Sequence, residues 1–277
     1  MAEMLIIAVI YNTPKETLRF LESIVAQNYR DVKVVLIDNS EKENENFQRE
    51  LRSIMPGVIY IKSPKNAGYF GGASIGLKYF LKTNELPEWI IVSNVDIVFD
   101  QPGFFELLNK LPFPENTGVV APAIISYKWK TDSNPKIERR YSNKQMEFYR
   151  FVCTNTLTQN LYMTLSYFKK LVKGRKPAIS SIENASKLIY APHGSCILFK
   201  KSYFARGGNL DHISFLFGEE IFVGETARNL NLNTVYEPQL RVSDFEHAST
   251  GFFYSKKIAG FMKQSTLDII EHYYPGS

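Results

Sequence analysis

In the first hundred positions, polar or acidic residues stand at or just past the end of four short apolar runs. Asn12 follows residues 5–10, Asp38 follows 34–37, Asn66 follows 58–62, and Asn94 with Asp96 follows 90–93. Runs of this length bounded by turn residues read as buried strands. A strand that delivers a carboxylate at its C-terminal tip is a common way for α/β proteins to present a nucleotide or metal ligand. If the four strands are parallel neighbours, all four polar groups share one edge of one sheet, and that edge is the expected active site. Asp96 suits a hard divalent cation, Mn2+ or Mg2+, which takes oxygen ligands and often uses one or two carboxylates beside substrate phosphates. The competing explanation is a turn capped by Asp96 or Asp100 before Pro102. Asp38 could accept hydrogen bonds from a nucleoside, or bond its own backbone in the turn Asp38-Asn39-Ser40.

Further segments carry chemistry-bearing residues. Asn66-Ala67-Gly68-Tyr69-Phe70-Gly71-Gly72 is expected to precede a helix over 73–82, where glycines admit a ligand to the backbone and a helix N-terminus favours phosphate. Tight-turn geometry explains the same glycines. The stretch matches neither the dinucleotide nor the P-loop fingerprint. Phe217-Gly218-Glu219-Glu220 opens another expected helix. Its two carboxylates gain from the helix dipole without any catalysis, and the functional reading makes Glu220 a general base whose pKa an apolar wall of Phe215, Phe217 and Phe222 would raise. His193 and His247 stand in polar, glycine- or serine-containing surroundings, and a satisfied structural role competes with ligation for each. No serine-protease ordering is evident, and Cys196 lies within an apolar strand, so thiol catalysis lacks support.

The elements that must position these groups alternate strand and helix over 1–125. Thr13-Pro14-Lys15-Glu16 predicts a helix start with a capping box, and Leu18, Leu21 and Val25 continue it at helical spacing. Strands recur every 25–30 residues, the length of one βαβ unit, which implies parallel pairing. A strand is expected over 118–125. From 126 to 187 the pattern loosens, and a mobile excursion is expected there. Strands return at 189–190 and 196–199, a helix at 220–230, a strand at 234–236 and a last helix at 255–273. The 277 residues, 44% hydrophobic and 22% charged, can bury the core of one large α/β unit. No apolar run is long enough to span a membrane or to form a signal-peptide core. Cys153 and Cys196 lack metal-ligand spacing and read as free thiols of a reducing cytoplasm. A net charge of +5 does not argue for nucleic acid.

Taken in order, these segments resemble glycosyltransferase family 2, nucleotide-sugar transferases of the GT-A fold. The resemblance rests on Val9-Ile10-Tyr11-Asn12, Ile37-Asp38-Asn39-Ser40, Asn66 to Gly72, Asn94-Val95-Asp96, Gly207-Gly208-x-Leu210-Asp211 and Phe217-Gly218-Glu219-Glu220, with a closing segment from Tyr236 to Ser249. It implies a mostly parallel Rossmann-like sheet flanked by helices. Residues 1–125 would form the nucleotide-sugar half, and 126–277 the acceptor and catalytic half. It also implies an inverting transfer from a UDP- or dTDP-linked sugar to a glycan or lipid-linked acceptor, in the manner of the rhamnosyltransferase-like subgroup that builds bacterial surface polysaccharides. Tyr11, Asn12, Asp38, Asn66, Gly71, Gly72 and Asn94 would meet the nucleotide, and Asp96 the cation. Glu219-Glu220 would supply the base from its second member. His193 and Asp211 would meet the acceptor. Asn94 replaces the usual first aspartate, and either Asp244 or His247 fits the further metal ligand.

Two other function classes remain beside it. A non-catalytic nucleotide-sugar-binding scaffold would keep Asp38 and Asp96 without turnover. A sugar-phosphate nucleotidyltransferase would carry a glycine-rich loop after the first strand, where this chain has Tyr11-Asn12-Thr13-Pro14. The basic cluster Lys169, Lys170, Lys173, Arg175 and Lys176 fits contact with the inner face of the plasma membrane, or equally a solvated face of a lid helix.

Overall fold

The computed structural model describes residues 4–42, 45–155, 157–162, 164–165, 185–245 and 256–275. The basic cluster and His247 therefore lie outside the described residues. The sheet contains β1 (Met4–Ile10), β2 (Val32–Asp38), β3 (Ile59–Lys62), β4 (Trp89–Asn94), β5 (Ile97–Val98), β6 (Thr117–Ser126), β7 (Lys187–Ile189), β8 (Cys196–Lys200) and β9 (Asn233–Asp244). The helices are α1 (Pro14–Ala26), α2 (Glu45–Ile54), α3 (Tyr69–Phe80), α4 (Phe104–Lys110), α5 (Asn143–Val152), α6 (Lys201–Ala205), α7 (Glu219–Asn229) and α8 (Lys256–Tyr273).

The sheet order is β3-β2-β1-β4-β8-β6-β9-β5, with β7 paired to β9. The first four strands are parallel, as the βαβ spacing predicts. Beyond β4 the sheet is mixed rather than mostly parallel. β8 runs antiparallel to both β4 and β6, so β6 points the same way as β4, and β9 runs parallel to β6. The C-terminal tips of β1, β2, β3, β4, β6 and β9 consequently share one edge of the sheet.

Strand alternation sorts the core into two layers. Met4, Ile6, Ala8 and Ile10 of β1 pack with Phe20 and Leu21 of α1 and Phe104 and Phe105 of α4. Leu5 and Ile7 face the other way, toward Phe70 and Leu77 of α3 and Phe222 and Val223 of α7. β1 and β4 are apolar on both faces because both faces are covered by helices.

Three local expectations are corrected. Thr13 makes no side-chain cap hydrogen bond, so the predicted capping box is absent and Pro14 alone marks the start of α1. α3 begins at Tyr69 rather than at 73, which puts Gly71 and Gly72 inside its first turn instead of in the preceding loop. β9 extends to Asp244 rather than ending at 236. Pro238 has no N–H for the ladder, so pairing with β6 breaks between Glu237 and Arg241 and then resumes.

Candidate functional site

At one end of the edge, the tips of β1 and β2 are tied together. Asn12 takes a left-handed φ of 56°, which asparagine tolerates, and its N–H donates to Ser40 Oγ at 2.8 Å. The Tyr11 hydroxyl donates to Glu41 Oε1 at 2.7 Å, and this hydrogen bond raises the phenol's pKa. Asp38 is buried and accepts from its own turn, as the local reading expected: Ser40 N–H donates to Oδ1 at 2.8 Å. Its second oxygen accepts from the Tyr60 hydroxyl at 2.5 Å, with Lys62 Nζ at 3.6 Å. A turn bond thus uses one oxygen of Asp38, and side chains of β3 hold the other.

The glycine stretch is built onto this corner. Asn66 turns to its own loop and accepts from Gly68 N–H at 3.0 Å. Buried Asn39 donates to the Gly68 carbonyl at 2.9 Å. Gly68 has φ +74°, and a Cβ there would lie 2.0 Å from the Phe215 carbonyl oxygen, so conformation and space both require glycine. Gly72 lies against the Val9 side chain, where a Cβ would meet methyl carbon at 3.0 Å. Its visible structural role is to let α3 rest on β1.

The middle of the edge gathers acidic residues. Asn94 ends β4 and its N–H donates to the Ser195 carbonyl at 2.8 Å. β5 pairs antiparallel with the end of β9, with Ile97 opposite Asp244, and Phe245 N–H donates to the Asp96 carbonyl at 3.0 Å. This pairing brings the backbone of Asp96 opposite Phe245, one residue past Asp244, although Asp96 and Asp244 are 148 positions apart in the chain. Among the described residues no group of three or more His, Cys, Asp or Glu side chains is preassembled. Asp96 and Asp244 are the carboxylates at this part of the edge, and a hard cation that also takes substrate phosphates often needs only one or two such donors. Burial pushes the nearby Cys196 thiol up to about 12, so this sulfur is a protonated thiol at neutral pH.

Glu219 and Glu220 open α7 on the α3 side of the sheet. Glu219 is buried, and its Oε1 accepts from Phe217 N–H at 3.1 Å. Burial and the adjacent Glu220 charge raise its pKa to about 8. Glu220 lies by the turn before β8, where a Cβ on Gly194 would come within 3.5 Å of its Oε1. In that turn His193 Nδ1 accepts from the Ser195 N–H at 3.2 Å and pairs with its hydroxyl at 2.8 Å. The ring proton consequently sits on Nε2. Burial and Lys136 lower the His193 pKa to about 4, which keeps the ring neutral at physiological pH.

Sequence reasoning missed Tyr69 as the residue that links these groups. Its hydroxyl donates to the Gly194 carbonyl at 2.8 Å. Burial, with Cys196, Glu219, Asp96 and Glu220 nearby, pushes the phenol well above its ordinary value. The only sequence signal was its place in the glycine stretch. Asp211 is not brought into this group: it is exposed and accepts from Ser74 Oγ at 2.6 Å and Lys78 Nζ at 2.7 Å on α3. Its neighbour His212 turns inward instead, and donates from Nε2 to the Phe217 carbonyl at 2.9 Å. Ser265 of α8 donates to the same carbonyl at 2.6 Å. These two bonds hold Phe217 at φ +70°, a strained conformation for a bulky residue, directly before the acidic pair.

Comparison with known proteins places the family and the fold. The family model described as glycosyl transferase family 2 matches residues 5–173. The low-salt glycan biosynthesis hexosyltransferase Agl10 of Haloferax volcanii is 27% identical over 203 residues, covering 72% of this chain and 54% of that protein. This chain thus spans about half the length of that relative. The N-acetylglucosaminyl-diphospho-decaprenol L-rhamnosyltransferase of Mycobacterium tuberculosis is 22% identical over 260 residues, covering 89% of this chain and 77% of the relative. Two solved structures share the fold. GalNAc-T7 with UDP, GalNAc and Mn2+ superposes with a TM-score of 0.64 at 13% identity, over 99% of this chain and 49% of that one. The mannosyltransferase PcManGT of Pyrobaculum calidifontis with GDP-Man and Mn2+ gives 0.53 at 14% identity, over 91% and 59%. With the family model matching over half of its length, the chain belongs to glycosyl transferase family 2.

Proposed function

We propose that the chain is an inverting glycosyltransferase. It would move a hexosyl or deoxyhexosyl group from a UDP- or dTDP-linked sugar to a glycan or lipid-linked acceptor in bacterial surface polysaccharide synthesis. The observation that carries this reading is the setting of Tyr69, whose phenol feels Asp96 as well as Glu219 and Glu220. A metal-type carboxylate and a base-type pair thus flank one small region of the sheet edge. The names of the relatives, a hexosyltransferase and a rhamnosyltransferase, support the transfer class.

In this reading Asp38 holds the nucleoside beside Tyr11 and Asn12, and Asn94 bonds the ribose. Asn66, Gly71 and Gly72 form the backbone surface next to them. Asp96 and Asp244 would hold the divalent cation, an assignment motivated by the pairing of β5 with the end of β9, which brings their two segments together. When bound, the cation supplies positive charge that stabilises the departing nucleoside diphosphate. Glu220 accepts the proton of an acceptor hydroxyl. The acceptor oxygen bonds the anomeric carbon as that carbon's bond to the diphosphate breaks, and the electron pair leaves with the nucleotide. Glu219, protonated at neutral pH, keeps the pair from carrying two negative charges. His193 offers its Nε2–H to the acceptor.

Calorimetric titration with UDP, dTDP and GDP, each with Mn2+ or with EDTA, tests the reading. Metal-dependent binding of one nucleotide, lost in Asp96→Ala, is expected. Absence of binding to all three would overturn it, whereas nucleotide binding without any sugar transfer would favour a nucleotide-sugar-binding scaffold.

A further inference from the structure

A second surface stands apart from the sheet edge. Residues 157–162 and 164–165 are helical and lie beside α5, with the Phe148 and Tyr162 rings 5.9 Å apart. Gln159 faces inward and donates to the Ala259 carbonyl of α8 at 3.2 Å. The opposite face carries Leu157, Leu161 and Leu165 at 81%, 60% and 60% exposure, one turn apart from each other. Phe151 and Phe148 of α5 add 65% and 51%. Five large apolar side chains exposed on two adjacent helices are not incidental to folding, because none of them contributes to a core.

Charged residues, mostly cations but with Glu147 of α5 among them, surround this face. Lys144 and Arg150 of α5 are exposed, and Lys263 of α8 reaches the Thr154 carbonyl at the end of α5. The sequence then runs on from Leu165 into the basic residues between 169 and 176. No helix among the described residues is long and apolar enough to cross a membrane. An apolar stripe edged by cations instead fits a helix pair lying in the lipid interface. An aromatic row joins this face to the acidic pair: Tyr149 lies 6.3 Å from Tyr162 and 5.4 Å from Tyr141, and Tyr141 feels the Glu220 charge.

We infer that the outer face formed by Phe148, Phe151, Leu157, Leu161 and Leu165 docks on an anionic lipid bilayer, with Lys144, Arg150 and Lys263 meeting its headgroups. This goes beyond the transfer reaction and does not depend on it.

The test is sedimentation of the full chain with phosphatidylcholine vesicles, with and without phosphatidylglycerol. The wild type is expected to pellet only with the anionic vesicles. The triple variant Leu157→Glu, Leu161→Glu, Leu165→Glu should lose at least about tenfold in binding, since three leucines no longer enter hydrocarbon. Its unfolding temperature and nucleotide titration should match the wild type, because the three positions are exposed. Phe151→Ser should weaken binding in the same direction. Equal pelleting of the triple variant, or wild type that stays in the supernatant with anionic vesicles, would overturn the inference. So would a wild-type dimer that the triple variant converts to monomer without lipid, which would identify a second copy of the chain as the occupant.

Discussion

The start and the middle of α7 place the same residue type at comparable burial with opposite outcomes. Glu219 is 7% exposed and Glu225 is 1% exposed, less than two turns further along. Glu219 has only backbone donors, the N–H groups of Phe217 and of its own residue, with a like charge next to it, and burial raises its pKa to about 8. Burial pushes Glu225 up as well, but hydrogen bonds from Arg140, Tyr190 and Arg228 outweigh it and hold its pKa below the ordinary value. Arg140 Nε lies 2.5 Å from Glu225 Oε1, and Arg228 Nη2 lies 2.8 Å from Oε2. Donors, not depth, decide whether a buried carboxyl is kept neutral or ionised. Arg140 also donates to the Tyr273 carbonyl at 2.7 Å, so the ionised glutamate helps fasten α8. The neutral one faces the candidate site.

The largest expected effect separates Glu220 from both. Glu220→Gln should keep nucleotide affinity and lower kcat by about 10²–10⁴-fold, the usual worth of a general base. Unchanged transfer in a sugar-release assay would remove Glu220 from that role. Next comes Glu225→Leu, which leaves Arg140 without its anion and should cost about 3–5 kcal/mol in urea unfolding. A cost near zero would mean that the network does not hold α8.

Opposite pH slopes sharpen the contrast. The folded pKa of Glu219 is about 8 against an ordinary 4.5, so folding takes up a proton between those values, and stability falls as pH rises across that window. Glu219→Gln should flatten this slope when unfolding midpoints are measured against pH. For Glu225 the folded pKa is lowered, so its contribution is complete above the ordinary 4.5 and is lost as pH falls through the folded value. Glu225→Gln should therefore reduce acid sensitivity, the reverse of the Glu219 result. The smallest effect is expected for Ser265→Ala, which removes one hydrogen bond to the Phe217 carbonyl and should cost about 1 kcal/mol. A fall in transfer larger than the fall in stability would show that α8 positions the acidic pair through Phe217.

Much of the sheet edge was legible because local rules dictate it. Apolar runs ending at Asn12, Asp38 and Asn94 specify strands and tips, and the 25–30 residue spacing specifies parallel neighbours. Strand continuation past Pro238 was not legible, since proline normally ends a ladder and only the partner strand β6 shows that pairing resumes. Tyr69 and His212 were missed for a related reason. Each is an ordinary aromatic or histidine until packing turns it toward carboxylates supplied from elsewhere in the chain. Asp211, chosen for its place in a motif, proved to be held by Ser74 and Lys78 of α3, which no local pattern announces.

By itself, the sequence determined the periodicity of the elements, the parallel pairing of the first four strands, the polar and acidic residues at or just past their tips, and the resemblance to the family. Tertiary structure alone decided the mixed half of the sheet, the pairing of the segment after Asp96 with the end of β9, and the inward turn of Glu219 with its raised pKa. The physical reason is range. Hydrophobic periodicity and turn chemistry act within a few residues, whereas strand pairing, burial and electrostatic neighbours depend on segments more than a hundred positions apart being brought into contact.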